Sequence, residues 1–346
     1  MSYLVGHWGT GHLGRQALRA VIEHPDLELA GVVADDHRGA GLDAAELAGT
    51  GRPTGVLATA DPADLLALRP HVVSHTARGR VVDDLCRVLE SGAGVVSDAP
   101  TAMVHPKSAD QGVVRRLRAA CATGGAACLT MGPGFAFDLV PLVLSGAGAR
   151  LDGIKITEIA CHGRFGREYG FGGPIGHRPP VVRAGAPASR WGPVIRLLAE
   201  ELAVPLDGLE ESHEVCPAPE SFDVAGGRIA KGTTAALRFQ VSGVLGGRSV
   251  ISVERVARLR EDLAPHWPVA PFGEPGGHRV EMAGEPPWRL DVASPGAADP
   301  SVPEAVAAAA RLVNAIPAVA EARPGLHTPL TLPPITGRRR LRRTSR

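Results

Sequence analysis

Near the N-terminus, Gly9-Thr10-Gly11-His12-Leu13-Gly14 set three glycines in the spacing G-x-G-x-x-G. A short apolar run, Tyr3 to His7, comes directly before them. After them Leu13, Ala17 and Val21 repeat at four-residue intervals, with Leu18 and Ile22 widening the stripe into a helical face. A strand that turns sharply into a helix leaves the helix's first N–H groups without internal partners, at the positive end of its dipole. The first glycine permits the turn, the second lets an anion approach the backbone, and the third lets helix and strand pack closely. Such a turn suits a pyrophosphate, so Gly9, Thr10, Gly11, His12, Leu13 and Gly14 are read as the cradle of a dinucleotide. Glycine supplies 43 of the 346 residues, so the placement between strand and helix, rather than the spacing alone, carries this reading.

Asp35 lies 21 residues beyond Gly14, after a second apolar run from Leu27 to Ala34. An acidic side chain there accepts from a ribose 2′-hydroxyl, which slightly favours NAD(H) over NADP(H). Other readings stand beside it. Asp36, His37 and Arg38 follow at once, and the two basic residues would pair with a 2′-phosphate if the loop turned inward. Alternatively, Asp35 and Asp36 only shape a turn. Two later apolar runs end in His75-Thr76-Ala77-Arg78 and Ser97-Asp98-Ala99-Pro100. Ligands of parallel sheets bind at the carboxyl edge, so Thr76, Ala77, Arg78 and Ser97 are assigned to the nicotinamide half of the site.

Hydride exchange with a nicotinamide needs a partner for the accompanying proton, a group with a pKa near working pH within reach of the substrate. His162, Tyr169 and Asp98 are the three choices. His162 follows a half-buried strand, Ile154 to Cys161, and opens a loop rich in glycine and proline; the alternative is a structural histidine. Tyr169, next to Glu168 in that loop, offers a phenol that donates to a developing alkoxide or amine, or an aromatic lid contact. Asp98 sits at a strand's carboxyl edge, where it either manages a proton or holds the Ala99-Pro100 turn. No histidine or cysteine grouping has metal-ligand spacing, so no catalytic metal is expected.

These residues need elements to hold them. Short apolar runs alternate with helical patterns over residues 1–135, the signature of a doubly wound parallel sheet, an α/β Rossmann domain. Strands are expected at Tyr3 to His7, Leu27 to Ala34, Gly55 to Ala58, Val72 to His75, Gly94 to Ser97 and Ala127 to Thr130. The first helix should stop near His24-Pro25, with others from Arg80 to Glu90 and Ser108 to Ala122. Residues 136–302 read as a second, α+β domain. Ala235, Leu237, Phe239 and Val241 alternate with Thr234, Arg238 and Gln240, and Ile154, Ile156, Trp288, Leu290 and Val292 suggest further half-buried strands. A helix is expected around Trp191 to Leu202 and an alanine-rich one from Pro303 to Ala322. Residues 303–337 form a C-terminal helix and segment, and 338–346 a basic, solvated tail.

The length fits two domains, and an apolar fraction of 44% fills real cores. With 37 basic and 36 acidic residues the net charge is +1, which speaks against nucleic acid or an acidic membrane and for a small-molecule substrate. No apolar run approaches bilayer length, no leader pattern opens the chain, and the five cysteines are scattered. A cytoplasmic protein is expected.

Further stretches complete the pattern: His7-Trp8-Gly9-Thr10-Gly11, Gly41-x-Asp43-Ala44-x-Glu46-Leu47, Gly132-Pro133-Gly134-Phe135, Gly232-Thr233-Thr234-Ala235-Ala236, Val313-Asn314-Ala315-Ile316-Pro317, and Thr328-Pro329-Leu330 through Ile335-Thr336-Gly337. Together they resemble, over nearly the full length, the dihydrodipicolinate-reductase-like proteins that include 2,4-diaminopentanoate dehydrogenase and the native amine dehydrogenases. The resemblance implies a last helix returning to the Rossmann domain, a homodimer, and NAD(P)H-dependent hydride exchange at a carbon bearing an amine or imine. It also matches Tyr169 to a family tyrosine. Two positions depart from the family. Ala99-Pro100-Thr101-Ala102-Met103-Val104-His105-Pro106 lacks the glutamate that amine dehydrogenases carry after the fifth strand, and Gly132 replaces an asparagine. A ketone or cyclic-imine reductase and an inactive dinucleotide-binding homologue therefore stand beside the amine dehydrogenase or imine reductase reading.

Overall fold

The structure is a computed structural model that describes residues 2–36, 38–132, 134–161, 168–225, 227–297, 299–338 and 340, with Glu168 as backbone only. The chain divides into two units, Met1–Gly134 with Ala305–Arg346, and Phe135–Glu304.

The first unit begins as alternating strands and helices: β1 (Tyr3–Trp8), α1 (His12–Ile22), β2 (Leu27–Val33), α2 (Ala44–Ala48), β3 (Ala58–Thr59), α3 (Pro62–Ala67), β4 (Val72–His75), α4 (Val81–Glu90), β5 (Gly94–Ser97), α5 (Gln111–Gly124) and β6 (Ala127–Thr130). The second unit carries α6 (Leu139–Ser145), β7 (Arg150–Cys161), α7 (Ala186–Glu201), β8 (Gly208–Pro217), β9 (Phe222–Val224), β10 (Gly227–Ile229), β11 (Thr234–Leu245), β12 (Arg248–Arg258), β13 (Gly276–Glu285) and β14 (Trp288–Val292). Helix α8 (Ser301–Ala320) and strand β15 (Gly325–His327) bring the chain back to the first unit.

The first sheet is parallel throughout in the order β15-β6-β5-β4-β1-β2-β3, the doubly wound pattern expected from the alternation. Its register aligns Trp8 with His75, His75 with Ser97 and Ser97 with Thr130. The turns after β1, β4 and β5 therefore leave from one edge, beside the place where strand order reverses between β1 and β4. Helix α1 buries Ala17, Leu18 and Val21, as its stripe requires. Helices α4 and α5 bury Leu85, Val88, Leu89, Leu117 and Cys121 in a core with Val73, Val95 and Cys128. Helix α8 packs Leu312, Val313, Ile316 and Val319 with Val5, Val21, Val96 and Leu129.

Several expectations shift. The third strand is only Ala58–Thr59, because Asp43, bridged to Leu57, takes over the segment before it. Helix α5 starts at Gln111 because the Asp110 carboxylate caps it, accepting from Val113 N–H at 2.9 Å. By length and composition α8 is apolar enough to cross a membrane, contrary to the reading of the apolar runs; here its apolar face covers the first sheet. Arg340 is not solvated as part of the tail. It is partly buried and donates to the Ala20 carbonyl at 3.1 Å.

The second unit is the expected α+β body, a sheet in the order β14-β13-β7-β12-β11-β8. Strands β7 and β12 run parallel and the other pairs antiparallel. Strand alternation assigns Ile154, Ile156, Val253, Leu237, Phe239 and Val241 to one face. Helix α7 covers it there, with the Trp191 ring stacked on Phe239 at 4.9 Å. Two readings fail. Thr234 is buried rather than outward-facing, because its backbone pairs with Gly172 and Gly173. Trp288 and Leu290 stay exposed, because β14 is an edge strand paired on one side only.

Candidate functional site

Each part of the glycine turn has a distinct physical task. Gly9 has φ +117°, and a Cβ there would lie 2.5 Å from the Ala77 nitrogen. A Cβ on Gly14 would lie 2.1 Å from the Gly9 carbonyl oxygen, so α1 packs on the turn through bare backbone. Two side chains below lock that carbonyl: His7 Nε2–H donates to it at 2.7 Å and the Thr76 hydroxyl at 3.2 Å. Burial pushes the His7 pKa down to about 4, helped by His75 and opposed by the bond to Gly9, so the ring is neutral.

Gly11 differs from its two neighbours. It is the exposed N-cap of α1, and a Cβ there would meet only Asp35 Oδ2, at 3.6 Å. Among the described residues no N-cap side chain bonds into the first turn of α1, as is also true of α4 and α7, whereas Asp43, Asp61 and Asp110 cap α2, α3 and α5. The first turn of α1 thus presents backbone donors to open space, which fits a pyrophosphate. Within this turn Thr10 and Asp35 hold each other: Thr10 N–H donates to Asp35 Oδ2 at 2.7 Å, and Asp35 N–H to the Thr10 hydroxyl at 3.2 Å. His12 is exposed, while Leu13 packs toward the core and can offer only its backbone. Asp36 is occupied in a turn, its Oδ1 accepting from the backbone of Arg38 and Gly39, each at 3.1 Å. Arg38 is exposed, and His37 lies outside the described residues.

At the ends of β4 and β5 the assigned residues separate. Thr76 and Ala77 are buried beneath the glycine turn, and the Ser97 hydroxyl donates to the Ala99 carbonyl at 2.8 Å, so these three serve as scaffold. Arg78 reaches across the edge to Asp98 with two parallel bonds, Nη1 to Oδ1 at 3.1 Å and Nη2 to Oδ2 at 2.6 Å. Both Asp98 oxygens are therefore engaged by the Arg78 guanidinium in a bidentate pair. The bond to Asp98 holds the Arg78 pKa up against burial, and Asp35 adds to it.

The second unit contains a polar row that strand-by-strand reading missed. At one register, His278 of β13, Glu158 of β7, Arg255 of β12 and Phe239 of β11 lie side by side. Glu158 and Arg255 form a buried ion pair, and the guanidinium stands 5.6 Å from the centre of the Tyr169 ring. That ring also meets Phe171 and Phe239, at 6.1 and 6.5 Å. Tyr169 itself takes a left-handed backbone, φ +56°. Phe135 and Phe137 flank His278 at 5.9 and 5.6 Å.

Burial would raise the Glu158 pKa, but the Arg255 guanidinium beside it outweighs this and holds the carboxyl below its ordinary value. Burial lowers the His278 pKa, with Glu158 opposing and Arg255 adding to the fall. Glu304, in the first turn of α8, faces the same charges. Burial pushes its pKa up to about 7, with Glu158 and Asp299 adding to the rise and Arg255 and Arg190 opposing it. Its Oε1 is buried without a hydrogen-bond partner among the described residues. Of the proposed catalytic residues, then, Tyr169 joins this row, Asp98 is held by Arg78, and His162 lies outside the described residues. One signal of the row stood in the sequence: Glu158 shares the parity of Ile154 and Ile156, and Arg255 that of Val253.

Comparison with known proteins places this geometry. Residues 135–340 match the model of the 2,4-diaminopentanoate dehydrogenase C-terminal domain. An amine dehydrogenase of Streptomyces virginiae is 35% identical over 348 residues, spanning 96% of this chain and 97% of that protein. The fold is similar to that of an amine dehydrogenase from Mycobacterium smegmatis, with TM-score 0.79, 20% identity and coverage of 98% of both chains. It is also similar to dipicolinate-bound dihydrodipicolinate reductase from Paenisporosarcina sp. TG-14, with TM-score 0.52, 13% identity and coverage of 95% of this chain and 98% of that one.

Proposed function

Since this chain belongs to the family of 2,4-diaminopentanoate dehydrogenase and the amine dehydrogenases, we propose that it interconverts a primary amine and the corresponding carbonyl compound with a nicotinamide dinucleotide. The observation that carries the proposal is the turn at Gly9 to Gly14, with its uncapped helix and the open approach at Gly11. A bound nicotinamide would supply hydride exchange with the amine-bearing carbon, in either direction. The chain's own part is to hold the pyrophosphate on the backbone of Gly11 to Gly14 and the adenosine ribose near Asp35.

NAD is the proposed cofactor, because a 2′-phosphate would face the Asp35 carboxylate, and the Arg38 backbone is folded into the Asp36 turn. Fluorescence titration with NADH and NADPH tests both halves of this reading. NADH should bind more tightly, Asp35→Ser should narrow the gap, and no binding of either dinucleotide would overturn the proposal. Turnover is followed by reduced-cofactor absorbance with primary amines in one direction and with ketones plus ammonia in the other.

The segment Ala99 to Pro106, without a carboxylate, favours a second reading, reduction of a ketone or cyclic imine. Amine oxidation that reverses only with ammonia would remove it. The chain is further proposed to act as a homodimer in a reducing, cytoplasmic compartment. None of its cysteines forms a disulfide, and light scattering checks the dimer.

A further inference from the structure

The glycine turn offers a diphosphate only backbone N–H groups, and a ligand with a charge on each phosphate is better matched where a cation completes the site. Arg78 leaves the carboxyl end of β4 directly after Ala77, whose backbone nitrogen lies against the turn: a Cβ on Gly9 would come within 2.5 Å of it. Asp98 directly follows β5, and Asp35 closely follows β2. The sheet order β5-β4-β1-β2 sets these two carboxylates on opposite sides of the turn between β1 and α1. The guanidinium is bonded to Asp98, through Nη1 at 3.1 Å and Nη2 at 2.6 Å, while Asp35 is bonded to the turn itself at Thr10 N–H. Asp98 is the main group raising the Arg78 pKa, and Asp35 adds to it through space. A guanidinium that touches the first carboxylate and feels the second stands over the turn.

We propose that Arg78, held by Asp98, is a side-chain ligand of the dinucleotide's diphosphate; the proposal rests on the dinucleotide reading of the glycine turn and assigns Arg78 to the phosphates rather than to the nicotinamide. Asp98 takes the guanidinium end-on, by one N–H of each terminal nitrogen. That geometry leaves the side-on pair, Nε–H with the outer N–H of a terminal nitrogen, to a second anion. The Arg78 side chain is 63% exposed and that of Asp98 20%, so the carboxylate is the sheltered partner and the guanidinium is open to a ligand. Since Asp98 already matches the charge, what Arg78 adds is direction: a planar fork fitted to two phosphate oxygens, which a lysine lacks.

The test measures dissociation constants of the full chain for NADH, by fluorescence titration, and for ADP-ribose, by displacement of NADH. ADP-ribose carries the diphosphate and lacks the nicotinamide. Arg78→Met should raise both constants by about tenfold or more, and Arg78→Lys, which keeps the charge but not the fork, should recover only part of the loss. Arg80→Met removes a charge from the same loop, where Arg80 pairs with Asp83 at 3.1 Å, and should stay within about twofold of wild type. Urea midpoints should agree across the set, because these ion pairs lie at the surface.

Arg78→Met combined with Asp98→Asn separates lost donors from an unmasked carboxylate. Binding should remain weak in the double variant. Recovery to wild-type affinity there would mean that repulsion by Asp98 alone caused the loss, and would overturn the proposal. So would unchanged constants in Arg78→Met, or a loss confined to NADH, which would return Arg78 to the nicotinamide half; in each case the dinucleotide reading stands. Wild-type protein that binds neither ligand overturns that reading itself, and this proposal with it.

Discussion

Gly11→Ala separates what the glycine turn does for the fold from what it does for a ligand. At Gly11 the backbone has φ −65° and ψ −172°, which alanine adopts freely, and the new methyl would touch only Asp35 Oδ2 at 3.6 Å. Replacing glycine where the backbone is compatible stabilises by about 0.4–1 kcal/mol through the unfolded chain. Alanine is a poorer N-cap than glycine, which costs about 0.5–1 kcal/mol. The two effects nearly cancel, so the urea midpoint should hardly move. For a pyrophosphate seated on the α1 N-terminus, however, the methyl occupies the line of approach. The dissociation constant for NADH should rise about tenfold or more, a loss of ~1.4 kcal/mol or greater.

Gly14→Ala is the contrasting control. Its Cβ would lie 2.1 Å from the Gly9 carbonyl oxygen and 2.7 Å from Thr76 Oγ1, so stability and binding should fall together. Fluorescence titration and urea denaturation of the same preparations give both numbers. Unchanged NADH affinity in stable Gly11→Ala would refute the claim that the open N-terminus of α1 is the pyrophosphate site.

Three other outcomes follow from the same geometry. His7 is neutral when folded, with a pKa near 4 against 6.5 for the free side chain, so the unfolded chain takes up a proton first as pH falls. Its contribution is complete above the unfolded value and lost on acidification toward the folded one, up to about 3 kcal/mol, and urea titrations should show His7→Gln with a flatter profile across that window. Glu158→Gln leaves Arg255 without its register partner and should cost about 3–5 kcal/mol by urea denaturation, whereas Glu158→Leu with Arg255→Met should cost much less. Asp98→Asn should reduce kcat less than about tenfold in steady-state assays, since Arg78 already engages both oxygens; a loss of about 100-fold or more would instead make Asp98 an acid or base.

The parallel sheet was legible because its evidence is local. Runs such as Val72 to His75 and Gly94 to Ser97 coincide with the observed strands, and the stripe of Ala17, Leu18 and Val21 is the buried face of α1. The glycine turn was legible for the same reason: a strand, three glycines and a helix are contiguous, and backbone sterics dictate what such a sequence does. Other assignments turned on a neighbour distant in sequence. Asp98 looked available until Arg78, 20 residues away, was seen to hold it. Thr76 and Ser97 looked ligand-facing until their hydroxyls were seen to bond Gly9 and Ala99. Trp288 and Leu290 looked half-buried because alternation reports a strand but not its place at a sheet edge.

By itself, then, the sequence determined the class of sheet and the glycine turn between its first strand and first helix, since both arise from contacts within about 20 residues along the chain. How the charged groups of the second unit neighbour one another was decided only by tertiary structure. Pairing of β7 with β12 and β13 sets Glu158 between Arg255 and His278, and the start of α8 brings Glu304 near Arg255 and Glu158. Burial and neighbouring charge act through space, and no local pattern in the chain encodes those distances.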